Sequence, residues 1–192
     1  SGYVGMSAAD RLDPSSARAV ANELAPRPAG RPDNEPDARA ITMGIVGHRE
    51  PLLNVGDNIV LRIAPARTGY LYCYYQDAGG TVTQIYPNPQ QAAPAVQGKT
   101  ALLVPDVGQA DSFLIQAAKR GAEQAWCAST QQPLVGKVPE ALTEAKLSPL
   151  KDYADIGAVR QALEGSGLVV ASQALAWQVN GAPASEAKGK GS

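Results

Sequence analysis

One stretch of the sequence, residues 58–88, constrains the fold more than any other. It holds five of the seven tyrosines, four of them in the run GYLYCYY at 69–75. A turn sequence, DAGG at 77–80, and a second apolar segment that ends in Tyr86-Pro87-Asn88 follow it. Aromatic and β-branched residues favour strands, and glycine accepts the positive φ of a tight turn. The stretch therefore predicts a β-hairpin that carries most of the aromatic surface of the chain.

Alternation of apolar and polar residues continues on both sides of this hairpin and predicts about seven short strands. The predicted strands are 41–46, 59–64, 70–76, 81–86, 102–104, 112–118 and 123–129. Many short strands with turn signals between them are typical of antiparallel rather than parallel sheets. The predicted fold is mainly β, an antiparallel immunoglobulin-like β-sandwich with helical additions at both ends.

The helical additions follow from capping residues and from a period near 3.6. Asp13 and Pro14 predict the start of a first helix, which the prolines at 26–36 separate from the strands. After the strands, we predict a short helix at 139–146 and a second helix that Asp155 caps and Gly165 ends, followed by strands at 168–171 and 174–179. The predicted organisation is a helix with a proline-rich linker over 1–38, a β-sandwich domain over 39–180 with a helical insertion near 139–165, and a disordered tail over 181–192.

Composition argues against several classes of function. The net charge is −1 at pH 7, and no basic block predicts a nucleic-acid partner. The apolar runs are too short for a transmembrane segment. A single histidine, His48, and a Gly79-Gly80 pair without a following helix and lysine predict neither a metal site nor a cofactor. We therefore expect no metal, no cofactor and no catalytic residues, and hence no enzyme.

The two cysteines, Cys73 and Cys127, both lie in predicted strands. Their separation of 54 residues resembles the spacing by which sandwich proteins join opposite sheets, with a tryptophan beside one end. An even number of cysteines favours a disulfide, and two buried free thiols are the alternative.

Alternation along the first strand of the hairpin places Tyr70, Tyr72 and Tyr74 on one face and Cys73 on the other. The cysteine face is the better candidate for the core. Two interpretations of the tyrosine face remain open: the flanking helices cover it, or it is a binding platform for a protein or a glycan. The candidate binding residues are Tyr70, Tyr72, Tyr74, Tyr86 and Asn88.

Several short motifs of the hairpin region together resemble a known family. They are Val55-Gly56-Asp57, Gly69-Tyr70-Leu71-Tyr72 and Tyr86-Pro87-Asn88. Over about residues 52–130 the chain resembles the bacterial domain-of-unknown-function family numbered 4384. Such domains occur beside kinase-like and caspase-like modules and in envelope or secretion-associated proteins. The family has no established catalytic residues, so the resemblance implies no active site.

The resemblance and the cysteine pair together predict a non-catalytic protein-interaction module of the bacterial cell envelope. An accessory role in a secretion system is the more specific form of this expectation. The expected location is periplasmic or envelope-associated, although no signal or anchor is visible in the sequence, and the expected partner is another envelope or secretion-system protein. The alternatives are a glycan- or small-ligand-binding module that uses the tyrosine face and the 87–98 loop, and an uncharacterised hydrolase.

Overall fold

A computed structural model describes residues 40–181, and every structural statement below concerns this part of the chain. The predicted N-terminal helix and linker, and residues 182–192 of the predicted tail, lie outside the described residues. The strands are β1 (Ile41–Ile45), β2 (Leu52–Asn54), β3 (Asn58–Ile59), β4 (Leu61–Pro65), β5 (Gly69–Gln76), β6 (Val82–Tyr86), β7 (Ala95–Val96), β8 (Leu102–Val104), β9 (Ile115–Gln116), β10 (Gly121–Thr130) and β11 (Val169–Asn180). A 3-10 helix (Glu140–Leu142) and helix α1 (Ile156–Glu164) lie between β10 and β11.

The strands form three sheets. The largest has the order β2-β11-β10-β5-β6, and β7 also pairs with β5. The second has the order β1-β4-β8, and β3 pairs with β9 in a third, two-stranded sheet. The prediction of a mainly β fold is confirmed. One pairing departs from the expected antiparallel pattern, because β2 runs parallel to β11.

Strands β5 and β10 form the centre of the largest sheet, and both faces of that centre are buried. One face of β5 carries Leu71 and Cys73, which belong to a core shared with the three-stranded sheet. Ile41, Ile63 and Val104 contribute to this core from the opposite side. The predicted orientation of the cysteine face toward the core is confirmed.

The other face of β5 is covered by residues 134–153, hereafter the covering segment, and by helix α1. The buried apolar residues that these two elements contribute to this second core are Leu134, Leu142, Ile156, Val159 and Leu163. A sheet that is covered on both faces has little need of alternating polar residues, which explains why the four residues 71–74 are all buried.

Helix α1 begins and ends where the sequence predicts. The Asp155 carboxylate accepts a hydrogen bond from the Ala158 amide at 2.8 Å, which satisfies one of the free N–H groups of the first turn. Gly165 follows the last helical residue, and its amide bonds to the carbonyl of Gln161. The spacing of Ile156, Val159 and Leu163 turns their side chains toward the sheet, where all three are buried.

Four of the other predicted elements differ from the structure. The predicted helix at 139–146 is only the 3-10 turn, because Ala145 and Leu147 both have φ of 60°, which cannot continue a right-handed helix. The predicted strand at 112–118 shortens to β9, whose partner β3 offers two residues for pairing. The two predicted strands at 168–171 and 174–179 are one continuous strand, β11, since β10 pairs with it from Val169 to Val179, with one shift of register near Val169.

Candidate functional site

The tyrosine face of β5 packs against protein rather than solvent. Tyr72 and Tyr74 are 2% and 0% exposed, whereas Tyr70 is half-buried. The Tyr74 hydroxyl donates to the Leu142 carbonyl at 2.6 Å, and the Tyr72 hydroxyl accepts from the Leu134 amide at 2.9 Å. Both bonds tie the covering segment to the sheet. Of the two interpretations of this face, the structure therefore shows the covered one.

Burial also determines the chemistry of these two rings. Desolvation raises the pKa of the Tyr72 hydroxyl and raises that of Tyr74 further, because a phenolate is poorly solvated inside the second core. Both groups are neutral hydrogen-bonding groups near pH 7, as ordinary tyrosines are, and burial keeps them neutral at higher pH. Their contribution is to stability, and they offer no surface on which a partner or a glycan ring can stack.

The last predicted binding residue, Asn88, organises the 87–98 loop from inside. It is fully buried, and its side-chain amide donates to the Ile85 carbonyl at 2.7 Å and to Gln91 Oε1 at 2.9 Å. Its Oδ1 accepts from the amides of Gln90 at 3.0 Å and Gln91 at 2.9 Å. An asparagine that binds backbone groups on both sides of a turn fixes the turn geometry. Asn88 therefore sets the path of the loop.

The loop is anchored again farther along the chain. Gln91 Nε2 donates to the Leu103 carbonyl of β8 at 2.9 Å. At the other end the Gly98 amide donates to Thr68 Oγ1 at 2.9 Å. A Cβ on Gly98 would lie 2.6 Å from the Thr68 backbone nitrogen, so only glycine permits this close approach. The loop is thus held to β8 on one side and to the turn before β5 on the other.

Between the loop, β7 and β8 lies an open groove of about 350 Å³, hereafter the β7–β8 groove. Tyr86 lies against it, only 5% exposed, and its hydroxyl donates to the Ala93 carbonyl at 3.0 Å. The residues that line the groove are Tyr86, Gln91, Ala92, Ala93, Ala95, Val96, Gln97, Thr100 and Leu102. Tyr86 is the one titratable side chain of this lining, and burial raises its pKa, so the lining is uncharged at neutral pH.

Strand β7, which lines the groove, has backbone groups that do not pair with β5. The Leu71 amide donates to the Pro94 carbonyl at 2.9 Å, so that carbonyl points toward β5. Successive residues of an antiparallel strand direct their backbone groups to opposite sides. The amide and carbonyl of the next residue, Ala95, therefore point away from β5, on the side of the strand edge. Ala95 lines the groove and is exposed.

The two cysteines lie directly opposite each other on β5 and β10, with their Sγ atoms 2.07 Å apart, which is bonding distance. The pair therefore joins neighbouring strands of one sheet. The spacing suggested a bond between two sheets. That prediction is wrong, because Cys73 and Cys127 are directly paired residues of neighbouring antiparallel strands. Trp126, the tryptophan beside Cys127, faces the opposite side of the sheet and stacks on Tyr74 at 6.2 Å.

A buried carboxylate, Glu123 on β10, was not predicted from the sequence. It is 2% exposed, and its Oε1 accepts from Trp177 Nε1 at 3.0 Å while its Oε2 accepts from the Ala78 amide at 3.3 Å. Desolvation raises the pKa of Glu123 above its ordinary value. The sequence does carry a signal for its burial. Glu123 lies two residues before Ala125 and four before Cys127, so alternation places it on the inward face of β10. Glu123 fixes the hairpin turn to β11.

A smaller cavity of about 240 Å³ lies between Gln84 and the covering segment, lined by residues 141, 144 and 146–153 of that segment. Its walls carry charged side chains of both signs, including Glu144, Lys146, Lys151 and Asp152. Within residues 40–181 no three histidine, cysteine or acidic side chains gather as metal ligands. None of the helices described is both long enough and apolar enough to cross a membrane.

The β7–β8 groove, its loop and the cysteine pair fall within one segment that comparison with known families recognises. Residues 53–133 match the family DUF4384, a domain of unknown function. The resemblance seen in the hairpin motifs is thereby confirmed. No curated protein and no solved structure gives a significant match to the chain.

The two cavities differ in whether their lining residues lie in the segment that matches DUF4384. Every residue that lines the β7–β8 groove lies inside the matched segment, and so does Asn88. Apart from Gln84, the residues that line the smaller cavity lie outside the matched segment, and helix α1 also lies outside it. The Tyr-Pro-Asn motif of the resemblance therefore has a structural role, which is to build one wall of the groove. We take the β7–β8 groove as the candidate functional site.

Proposed function

We propose that this chain is a non-catalytic protein-interaction module that binds a partner protein in the β7–β8 groove. The observation that carries the proposal is the composition of the groove. It combines small apolar side chains, glutamine amides and an exposed strand edge, in a segment that matches DUF4384. Such a surface binds through shape, apolar contact and hydrogen bonds, and its lining holds no cysteine, serine, histidine or carboxylate.

The proposed location is the periplasm or another envelope-associated site in bacteria, with an accessory role in a secretion system as the more specific form. The Cys73–Cys127 pair supports an oxidising compartment, because disulfides persist outside the cytoplasm and are rare within it. The partner would then be another envelope or secretion-system protein.

We also propose that the fold is an immunoglobulin-like β-sandwich. The shared core of the two larger sheets supports this assignment, since residues from both sheets meet there. Two features depart from that pattern. The Cys73–Cys127 bond joins neighbouring strands of one sheet, and β2 pairs in parallel with β11.

A pull-down from detergent-solubilised bacterial envelope tests the proposal. Ala95 is exposed in the groove, and Ala95→Arg would place a long charged side chain across its apolar lining. Ala154→Arg makes the same change at an exposed alanine before helix α1 and serves as the matched control. We expect the wild type and Ala154→Arg to retain the same protein, and Ala95→Arg to lose it.

Both variants are first compared with the wild type by circular dichroism and thermal unfolding, so that a loss of binding is read only from folded protein. A partner that Ala95→Arg retains as well as the wild type does would refute the groove as the interaction site. Binding of a soluble glycan that Ala95→Arg abolishes, with no protein retained, would favour the glycan-binding alternative instead.

A further inference from the structure

We infer that the β7–β8 groove binds its partner as an added β-strand: an extended peptide segment pairs with β7, carries small uncharged side chains, and has an acidic group at one end. This inference rests on the proposed function and specifies the chemistry of the partner. Three features of the groove lead to it: its open backbone, its small side chains and the charges at its two ends.

The open backbone is that of Ala95. Its amide and carbonyl point away from β5, and a strand edge with free backbone groups is a template for another extended segment. Strand β7 has only two residues, Ala95 and Val96, and β5 is the strand with which it pairs. On the far side of the groove, Gln91 holds the Leu103 carbonyl of β8 with its side chain. Strand addition is therefore expected along β7 rather than along β8.

The side chains of the groove leave room for a second backbone close to β7. Ala92, Ala93 and Ala95 are all exposed and project only a methyl group each. A paired strand would lie about 4.8 Å from β7, with its own side chains projecting above and below the sheet, and the short side chains of the lining leave space for those. The lining carries no charge at neutral pH, so a buried charged side chain of the partner would lose its hydration without compensation. Alanine, serine, threonine and valine are the side chains that this surface fits.

The two ends of the groove differ in charge. Lys99 lies between the lining residues Gln97 and Thr100, and the backbone of Arg67 lies against Gly98. At the other end, Asp106 accepts a hydrogen bond from Gln109 Nε2 at 2.9 Å, and the same amide donates to the Gln90 carbonyl beside Gln91. The groove thus runs from a basic end at residues 97–100 to an acidic end near Asp106.

This asymmetry gives the bound segment a direction. A carboxylate on the partner is attracted to the Lys99 end and repelled from the Asp106 end. Exposed ion pairs change affinity modestly, by about two- to five-fold for each pair. The pairing with Ala95 and the apolar contacts in the groove therefore account for most of the binding, and the charges select the orientation and the sequence at the end of the segment.

Selection from a displayed library of random linear nonapeptides tests the inference on the full chain. We expect the wild type to enrich peptides with a run of small uncharged residues and an Asp or Glu at one end. The double variant Arg67→Glu/Lys99→Glu should enrich peptides with Lys or Arg at that end. Lys151→Glu/Arg160→Glu, the same change of charge on the covering segment and helix α1, should enrich the same peptides as the wild type.

An N-methyl scan of one enriched peptide, synthesised and measured by fluorescence anisotropy, tests the pairing itself. Ala95 is the residue of β7 whose backbone groups point outward, so methylation of the one peptide amide that pairs with it should weaken binding at least ten-fold, and methylation of the two neighbouring amides should have little effect. Uniform effects along the peptide, or an unchanged preference in the Arg67→Glu/Lys99→Glu variant, would overturn the inference.

The possible results separate the inference from the proposed function. If the library gives no enrichment that depends on Ala95, while the envelope partner is still lost in Ala95→Arg, strand addition is refuted and the interaction module stands. If neither peptides nor the envelope partner depend on Ala95, both are refuted. Enrichment of peptides that are sensitive to N-methylation at one central amide, and not at its neighbours, supports the inference whether or not an envelope partner is retained.

Discussion

Reduction of the Cys73–Cys127 bond is expected to lower the free energy of unfolding by about 4 kcal/mol. The bond closes a loop with a sequence separation of 54 residues. In the chain-entropy model the stabilisation grows with the logarithm of loop length, and a loop of this size gives about 4 kcal/mol at 25 °C. For a chain of this length, that corresponds to a fall of about 8–16 °C in Tm. The loss arises in the unfolded state, which gains freedom when the cross-link is broken.

Urea unfolding of the wild type with and without a thiol reductant measures this difference in the free energy of unfolding, because the sequence of the protein is the same in both experiments. The double variant Cys73→Ala/Cys127→Ala is the control, because its midpoint should not respond to the reductant. Titration of free thiols in the unfolded, unreduced protein should find none. The reasoning is refuted if oxidised and reduced wild type unfold within ~0.5 kcal/mol of each other, well below the loop-closure value.

Three further predictions concern single side chains. Tyr74→Phe should cost about 1–3 kcal/mol in urea unfolding, because it leaves the buried Leu142 carbonyl without its donor. Glu123 has a raised folded-state pKa, so the stability it contributes is fully present below its ordinary pKa of 4.5 and is lost as pH rises through the folded value. Glu123→Gln should therefore flatten the fall in unfolding free energy that the wild type shows as pH rises above the ordinary pKa of this carboxyl group. Gly98→Ala should cost about 1–3 kcal/mol in thermal unfolding, because its Cβ would overlap the Thr68 backbone.

Each of these substitutions has a control or a contrary outcome. Tyr70→Phe, on a half-buried ring of the same face, should change stability by less than about 0.5 kcal/mol. Equal pH dependence in the wild type and Glu123→Gln would contradict the assignment of the slope to this carboxylate. A Cβ at Gly44 meets nothing within 4 Å, so Gly44→Ala should be tolerated, and equal losses at Gly44 and Gly98 would refute the steric argument.

Elements that depend on local signals could be predicted from the sequence. The hairpin followed from its tyrosines and its glycine turn, and helix α1 followed from the Asp155 cap and the spacing of Ile156, Val159 and Leu163. The failure at 139–146 has a local cause that composition does not reveal, since Ala145 and Leu147 adopt positive φ without being glycine. Alanine and leucine favour helices, and here the tertiary contacts of the covering segment prevail.

The candidate site was only partly predictable, because it depends on pairings between distant segments. The resemblance identified Tyr86 and Asn88, but their role as supports of the groove rests on the contacts of Gln91 with β8. Alternation placed Tyr72 and Tyr74 on one face, yet it did not tell which element covers that face. The spacing of the cysteines likewise predicted a pair without telling whether the bond joins two sheets or two neighbouring strands.

The position of the cysteine pair has a consequence for proteolysis. The bond between β5 and β10 encloses the whole 87–98 loop together with strands β6 to β9. Exposed loops of small residues, such as Ala92 and Ala93, are preferred sites of cleavage. A cut in this loop would leave two fragments that are still covalently joined and still paired along β5 and β10. On a gel the nicked protein would migrate as one chain until a reductant separates it, and the two walls of the groove would stay linked for as long as the bond is oxidised.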